Sequence, residues 1–275
     1  MRKTIGLLLC LGSLGLWAAT ARAQSSVASL APPVPAQSSA QVLRPIDPRW
    51  QPSLDAFAAA DRLHAPRPGG VLFVGSSSIR LWDGLEQAFG GSADAAAEAH
   101  AIIIKRGFGG SRLADVADYM DRLVLPYKPR QVVVYAGDND LAEGATPADV
   151  LASFKRFVRG VHRDLPETRI AYLSIKPSPL RAQLIAQARA ANDLIEAYSA
   201  TVPNLDYIDI YSKMVDADGR PRPELFAPDM LHLNRAGYAL WRQEIAAHLG
   251  PLADPSGTVA PAPALAVAGV PRAVP

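Results

Sequence analysis

Cysteine is all but missing from this chain: Cys10 is the single one in 275 residues. One thiol closes no intramolecular disulfide and builds no cysteine metal centre, so both frameworks are excluded. An excess of charge of either sign is missing too. Lys and Arg number 28 against 26 Asp and Glu, for a formal net charge of +2, and no block of like charge breaks the mixture. Neither nucleic acid nor an anionic membrane surface has an electrostatic partner in such a chain. Long apolar runs are limited to one, Ile5 to Ala19, which is shorter than the roughly 20 residues of a membrane span. What remains, 49% hydrophobic and 20% charged residues, is the composition of a soluble globular domain.

That one apolar run has a function of its own. Arg2 and Lys3 precede it and Ala21-Arg22-Ala23 follows it as a small-x-small site, so residues 1–23 read as a secretory signal peptide. Cys10 lies in the middle of the run, not at its end where a lipidated cysteine would stand, and leaves with it. Removal also takes Arg2, Lys3 and Arg22 and no acid, leaving 25 basic and 26 acidic residues and a net charge of about −1. Residues 24–45 and 251–275 are rich in Pro, Ala and Ser without periodicity and read as a linker and a tail. The folded domain is expected between them, over residues 46–250, with no membrane span once the signal is cleaved.

Within that domain two patterns alternate. Short apolar runs of strand type lie at Val71–Val74, Ala101–Ile104, Gln131–Tyr135, Arg169–Ile175 and Leu205–Ile210. Between them stand stretches with helical spacing, clearest at Leu113–Leu123, Ala148–Leu165 and Arg181–Ser199, and a last one at Arg235–Leu249 with Asn234 as N-cap. Helix-length crossovers without tight hairpin signals imply a mostly parallel sheet of five strands covered on both faces, an α/β fold. Ligand crevices in such sheets lie beyond the carboxyl ends of the strands. Four polar clusters fall there: Gly75-Ser76-Ser77-Ser78 after the first run, Arg106–Arg112 after the second, Ala136–Asp140 after the third, and Pro228–His232 just before the last helix.

A serine hydroxyl becomes a nucleophile when a base takes its proton, and the base must itself be oriented. Of the five histidines, His64, His100, His162 and His248 fit surface or packing roles. His232 alone sits at the predicted rim, and Asp229, three residues before it, has the spacing to fold back onto the imidazole; a capping turn has that spacing as well. The oxyanion that such a reaction builds needs preorganised donors. Gly110 and Asn139 offer a backbone and an amide N–H, although Gly107, Gly109 and Gly110 also suit a strand-to-helix turn and Asn139 a cap.

Taken in order, the four clusters resemble the blocks of the SGNH hydrolases, also called the GDSL family of esterases and acylhydrolases. Phe73-Val74-Gly75-Ser76-Ser77 is similar to the first block, with Ser76 where the family usually has aspartate. Gly109-Gly110-Ser111, Gly137-Asp138-Asn139-Asp140 and Asp229–His232 are similar to the other three. The resemblance spans about residues 68–250 and implies a flavodoxin-like three-layer α/β/α sandwich. It also implies Ser77 as nucleophile, His232 as base and Asp229 as its partner, with Ser77, Gly110 and Asn139 forming the oxyanion hole. Ser76 and Ser78 would then serve as turn or capping hydroxyls. No cofactor and no metal are implied; the substrate class is a small-molecule, glycan or lipid ester. Lys176 and Ser178, in the segment after the fourth strand, are candidate substrate contacts or parts of a Pro-stiffened turn, and Trp82 either borders an acyl pocket or is core. The rival functions are a non-catalytic carbohydrate- or lipid-binding protein on the same fold, and a nucleotide binder, the latter without a matching Gly-rich motif.

Overall fold

Branched apolar side chains suit a pleated surface buried on both sides, and this is where the runs of valine and isoleucine lie. A computed structural model describes residues 44–90 and 103–249. The expected signal peptide, the linker as far as residue 43, His100 and the tail fall outside the described residues. Strands β1 (Val71–Gly75), β2 (Ile103–Gly107), β3 (Gln131–Tyr135), β4 (Arg169–Leu173) and β5 (Leu205–Ile208) form one sheet in the order β2-β1-β3-β4-β5, and every pairing is parallel. The α/β class and five-stranded sheet are as expected.

Alternation along the strands divides the core into two layers. Leu72, Val74, Val132, Val134, Ile170 and Tyr172 face one side, against helices α4 (Leu113–Asp118), α7 (Pro147–Asp164) and α8 (Ile185–Ser199). Val71, Phe73, Val133, Tyr135, Ala171 and Leu173 face the other, against α2 (Ser77–Arg80), α3 (Leu85–Gly90) and α9 (Arg235–Ala246). Helix α7 has the strongest local signals: Pro147 stands in its first turn, and Thr146 and Asp149 form a capping box, with the Asp149 N–H donating to Thr146 Oγ1 at 3.2 Å. Helix α9 is capped as the sequence predicts, the Asn234 Oδ1 accepting from the N–H groups of Ala236 and Gly237.

Strands β4 and β5 and helix α9 end two or three residues earlier than expected, and three larger differences have a physical reason. Strand β2 runs on through Lys105 and Arg106, because each charge is satisfied from outside the sheet. The Lys105 ammonium donates to Trp82 O at 2.9 Å; Arg106 donates to Tyr127 Oη at 2.8 Å and pairs with Asp61. That aspartate lies on α1 (Gln51–Leu63), a helix whose apolar stripe is thin enough to escape notice, Leu54 being its one buried side chain. The 113–123 stretch breaks at Tyr119 (φ −112°, ψ 16°), leaving α4 and the short α5 (Met120–Leu123). The 181–199 stretch begins as a 3-10 segment, Pro179–Leu184, with Arg181 off the helical conformation, and becomes α-helical only from Ile185. Helix α6 (Asp138–Ala142) completes the set discussed below.

Candidate active site

Strand register decides where the polar clusters begin. Gly75 of β1 pairs with Gly107 of β2 and with Tyr135 of β3, so the chains that follow leave the sheet at one level. Gly75 has φ +146°, and a Cβ there would lie 1.9 Å from the Tyr135 carbonyl oxygen. Glycine alone permits this approach. The Ser76 N–H then donates to that same carbonyl at 3.0 Å, and the chain turns into α2.

Ser77 is the first residue of α2 and is partly exposed. Its Oγ lies 3.0 Å from Nε2 of His232, and Nδ1 of His232 lies 2.6 Å from Oδ2 of Asp229. The structure therefore brings together three residues from chain positions 77, 229 and 232. The loop that carries the last two is closed on itself: Phe226 and Leu233 form an antiparallel bridge, Ala227 N–H donates to His232 O at 2.7 Å, and Met230 adopts φ +55°. The Asp229 carboxylate also accepts the N–H groups of Leu231 and His232 at 3.0 and 2.9 Å. The imidazole bond, joined by these two backbone bonds, lowers the Asp229 pKa to about 2. The carboxylate stays charged through the ordinary range, which fixes the imidazole with Nδ1 as donor and leaves Nε2 facing the serine hydroxyl.

Gly110 and Asn139, the other two expected site residues, follow β2 and β3, the two strands that flank β1. Gly110 has φ +81° and open space where a side chain would be, the nearest atom being a Trp50 carbon at 3.8 Å; conformation, not room, favours glycine here. Gly107 and Gly109 answer to packing instead, since Cβ atoms there would come within 2.3 Å of Arg80 N and 2.6 Å of Arg80 Nε. The Asn139 amide is oriented at both ends. Its Nδ2 donates to Ser111 O at 3.0 Å and its Oδ1 accepts from the Arg181 guanidinium at 2.9 Å, so one Nδ2 hydrogen is left over. Asp140 turns away onto the first amides of α4, accepting from Leu113 and Ala114 at 2.8 and 3.4 Å. Burial raises its pKa, partly offset by those bonds.

Behind Asn139 lies a charged cluster that sequence reading did not isolate. Asp138 is buried, with Oδ2 2.8 Å from Lys176 Nζ and 3.3 Å from Arg181 Nη1; Lys176 also donates to the Tyr135 hydroxyl at 3.0 Å. Burial by itself would raise the Asp138 pKa, but the two cations and the Lys176 hydrogen bond hold it below its ordinary value. A signal was present: Asp138 and Lys176 each follow a strand with no polar face, and a charge carried into that setting needs a partner.

Alternatives were open for five residues, and the structure decides between them: the substrate-contact reading of Lys176 and Ser178 and the capping reading of Ser76 and Ser78 need correction, while the turn reading of Ser178 and the core reading of Trp82 hold. The Lys176 side chain is only 1% exposed and engaged with Asp138 and Tyr135, so it faces the interior and not a substrate. Ser178 is 2% exposed and belongs to the turn ahead of the 3-10 segment. The Ser76 and Ser78 hydroxyls are buried with no hydrogen-bond partner among the described residues, so they contribute small volume to a tight turn and no cap. Trp82 is core, its ring 5.0 Å from Tyr238 and 6.1 Å from Trp241. The other described histidines lie apart from Ser77: His162 Nε2 is bonded to Thr168 O at 2.9 Å, His248 is paired with Asp206, and His64 is exposed beyond α1. Among the described residues no group of three or more His, Cys, Asp or Glu is placed to hold a metal ion, and no helix is long and apolar enough to cross a membrane.

A parallel three-layer α/β/α sandwich with its polar clusters beyond the carboxyl ends of the strands is thus the class of protein the fold defines. The chain belongs to the GDSL-like lipase/acylhydrolase family, whose model matches residues 73–240. Solved structures share the fold. A protein from Streptococcus pneumonia described as a platelet activating factor superposes with a TM-score of 0.63 at 19% identity, over 73% of this chain and 92% of its own. For one from Bacteroides fragilis described as an acylhydrolase the values are 0.61 and 20%, over 74% and 97%. A GDSL-like lipase from Bacteroides thetaiotaomicron gives 0.58 and 19%, over 71% and 96%. Comparison with curated proteins yields no match. Family membership supports ester-cleaving hydrolase activity in general.

Proposed function

We propose that the protein is an exported serine esterase that cleaves carboxylic esters through Ser77, His232 and Asp229. The observation that carries this reading is the continuous chain from Ser77 Oγ to His232 Nε2 at 3.0 Å and from His232 Nδ1 to Asp229 at 2.6 Å. His232 removes the hydroxyl proton as Ser77 Oγ attacks the ester carbonyl carbon. The carbonyl π pair moves to oxygen, and the N–H groups of Ser77 and Gly110 with the Asn139 amide receive that charge; neither backbone N–H is paired with another backbone group among the described residues. The tetrahedral species collapses by breaking the bond to the alcohol oxygen, which takes the proton from His232. Water, deprotonated by His232, then attacks the acyl-serine and releases the acid with Ser77 regenerated. Asp229 stays ionised and stabilises the imidazolium at both stages.

Export rests on the signal-like residues 1–23, which favour a periplasmic or extracellular ester of small-molecule, glycan or lipid origin. Ser77→Ala in the mature protein tests the reading. Turnover of p-nitrophenyl acetate should fall by about 10⁴-fold or more with the melting temperature preserved, and covalent labelling by a fluorophosphonate should vanish. Near-native turnover in Ser77→Ala would overturn the assignment; a wild-type protein inert to the label would point to a binding protein instead.

A further inference from the structure

The serine mechanism uses the Asn139 N–H but leaves unexplained why that amide is backed by a buried ion cluster. Asn139 Oδ1 accepts from Arg181 Nη2 at 2.9 Å, and Arg181 Nη1 lies 3.3 Å from Asp138 Oδ2. The second cation on Asp138, Lys176, sits closer, at 2.8 Å, and is nearly inaccessible. Two cations on one carboxylate leave a surplus positive charge, and the member touching the amide oxygen is Arg181. Asp140 does not cancel it by contact, because its oxygens are turned onto the amides of Leu113 and Ala114.

We propose that Arg181 is a positioning residue for the oxyanion hole: it fixes the Asn139 amide so that its free Nδ2 hydrogen faces the developing oxyanion, and polarises it to make that hydrogen a stronger donor. This rests on the serine-esterase reading above and deepens it. An amide oxygen held by a guanidinium loses electron density to it, and the opposite N–H gains donor strength, as in any chain of polarised hydrogen bonds. The amide cannot flip, since Arg181 offers only donors to Oδ1 and the Ser111 carbonyl offers only an acceptor to Nδ2. Arg181 itself is placed by an interruption in the chain. It stands at φ −112°, ψ 33° inside the 3-10 segment Pro179–Leu184, and that segment is tied to the loop bearing Asp229 by the Leu180 N–H bond to Met230 O at 3.0 Å. One short segment thus links the oxyanion side of the site to the histidine side.

The competing account is that Arg181 merely neutralises Asp138. A double-mutant cycle with Arg181→Ala and Asn139→Ala, read by kcat and KM on p-nitrophenyl acetate, separates the two. Asn139→Ala should lower kcat by about 10²–10³-fold. Arg181→Ala should lower kcat by about tenfold with KM within about twofold, and in the Asn139→Ala background it should cost less than about twofold more, because the amide it acts through is gone. Added guanidinium chloride at millimolar concentration should restore part of the kcat of Arg181→Ala, whose side chain is 19% exposed in the parent, and none of that of the double variant. Equal losses in both backgrounds, or a KM effect with kcat intact, would overturn the proposal in favour of a structural role. A disabled Asn139→Ala beside a fully active Arg181→Ala would overturn this inference alone; full activity in Asn139→Ala would overturn the oxyanion assignment and this inference with it. Should Arg181→Ala fail to fold, Arg181→Lys, which keeps a charge near Asp138 without the fork, carries the same cycle: a loss confined to the Asn139 background supports the role and an unchanged kcat refutes it.

Discussion

The Asp229–His232 pair that meets Ser77 and the ion cluster behind Asn139 are built to opposite designs. On the histidine side, the Asp229 side chain is 49% exposed and is held by bonds within its own four-residue turn. On the asparagine side, Asp138 and Lys176 are 6% and 1% exposed and are held by contacts between residues some forty positions apart. A proton shuttle must swing and meet water, so a shallow, locally braced pair suits it. The oxyanion site proposed for Asn139 would work by not reorganising when charge appears, so buried, mutually fixed charges suit that side.

Substitutions on the two sides should therefore fail in different currencies. The largest effect expected is on the exposed side: Asp229→Asn should lower kcat by about 10³–10⁴-fold, since the amide favours the wrong imidazole tautomer. Its denaturation midpoint should stay close to that of the parent, and a collapse of stability would contradict the local character of that turn. Lys176→Met should do the reverse. Stability should fall by about 3 kcal/mol, the low end for breaking a buried pair because Arg181 still faces Asp138, as urea titration would measure. A Lys176→Met protein as stable as its parent would mean that the cluster is not the anchor proposed.

The smallest effect lies in the acid dependence. Asp229 falls from an ordinary 3.8 to about 2 in the folded state. A lowered carboxylate pKa contributes stability that is complete above the unfolded value and is lost as pH falls through the folded one. Between pH 4 and 2, Asp229→Asn should therefore lose slightly less stability than the parent, and screening at this exposed position keeps the difference small.

Sequence patterns went far because the strands are short, apolar and separated by helical spacings, so the four polar clusters could be placed at one end of the sheet before any contact was known. Asn234 as a cap was readable for the same reason, its partners being two and three residues away. Reading failed where the satisfying partner was remote. Lys105 and Arg106 looked like loop, yet Trp82, Tyr127 and Asp61 let them stay in β2. Lys176 looked like a rim residue for want of sight of Asp138, and Arg181 looked like ordinary helix although its conformation is set by the turn that carries it to Asn139.

Local chemistry along the chain was enough to settle the alternating α/β pattern and the short-range Asp229–His232 spacing, because each depends on neighbours within a few residues. Only tertiary structure could select Ser77 from three adjacent serines as the one facing His232, and turn Lys176 inward while aiming Arg181 at an amide. Those outcomes follow from strand register and buried charge compensation, which join residues that the chain keeps some forty to 155 positions apart.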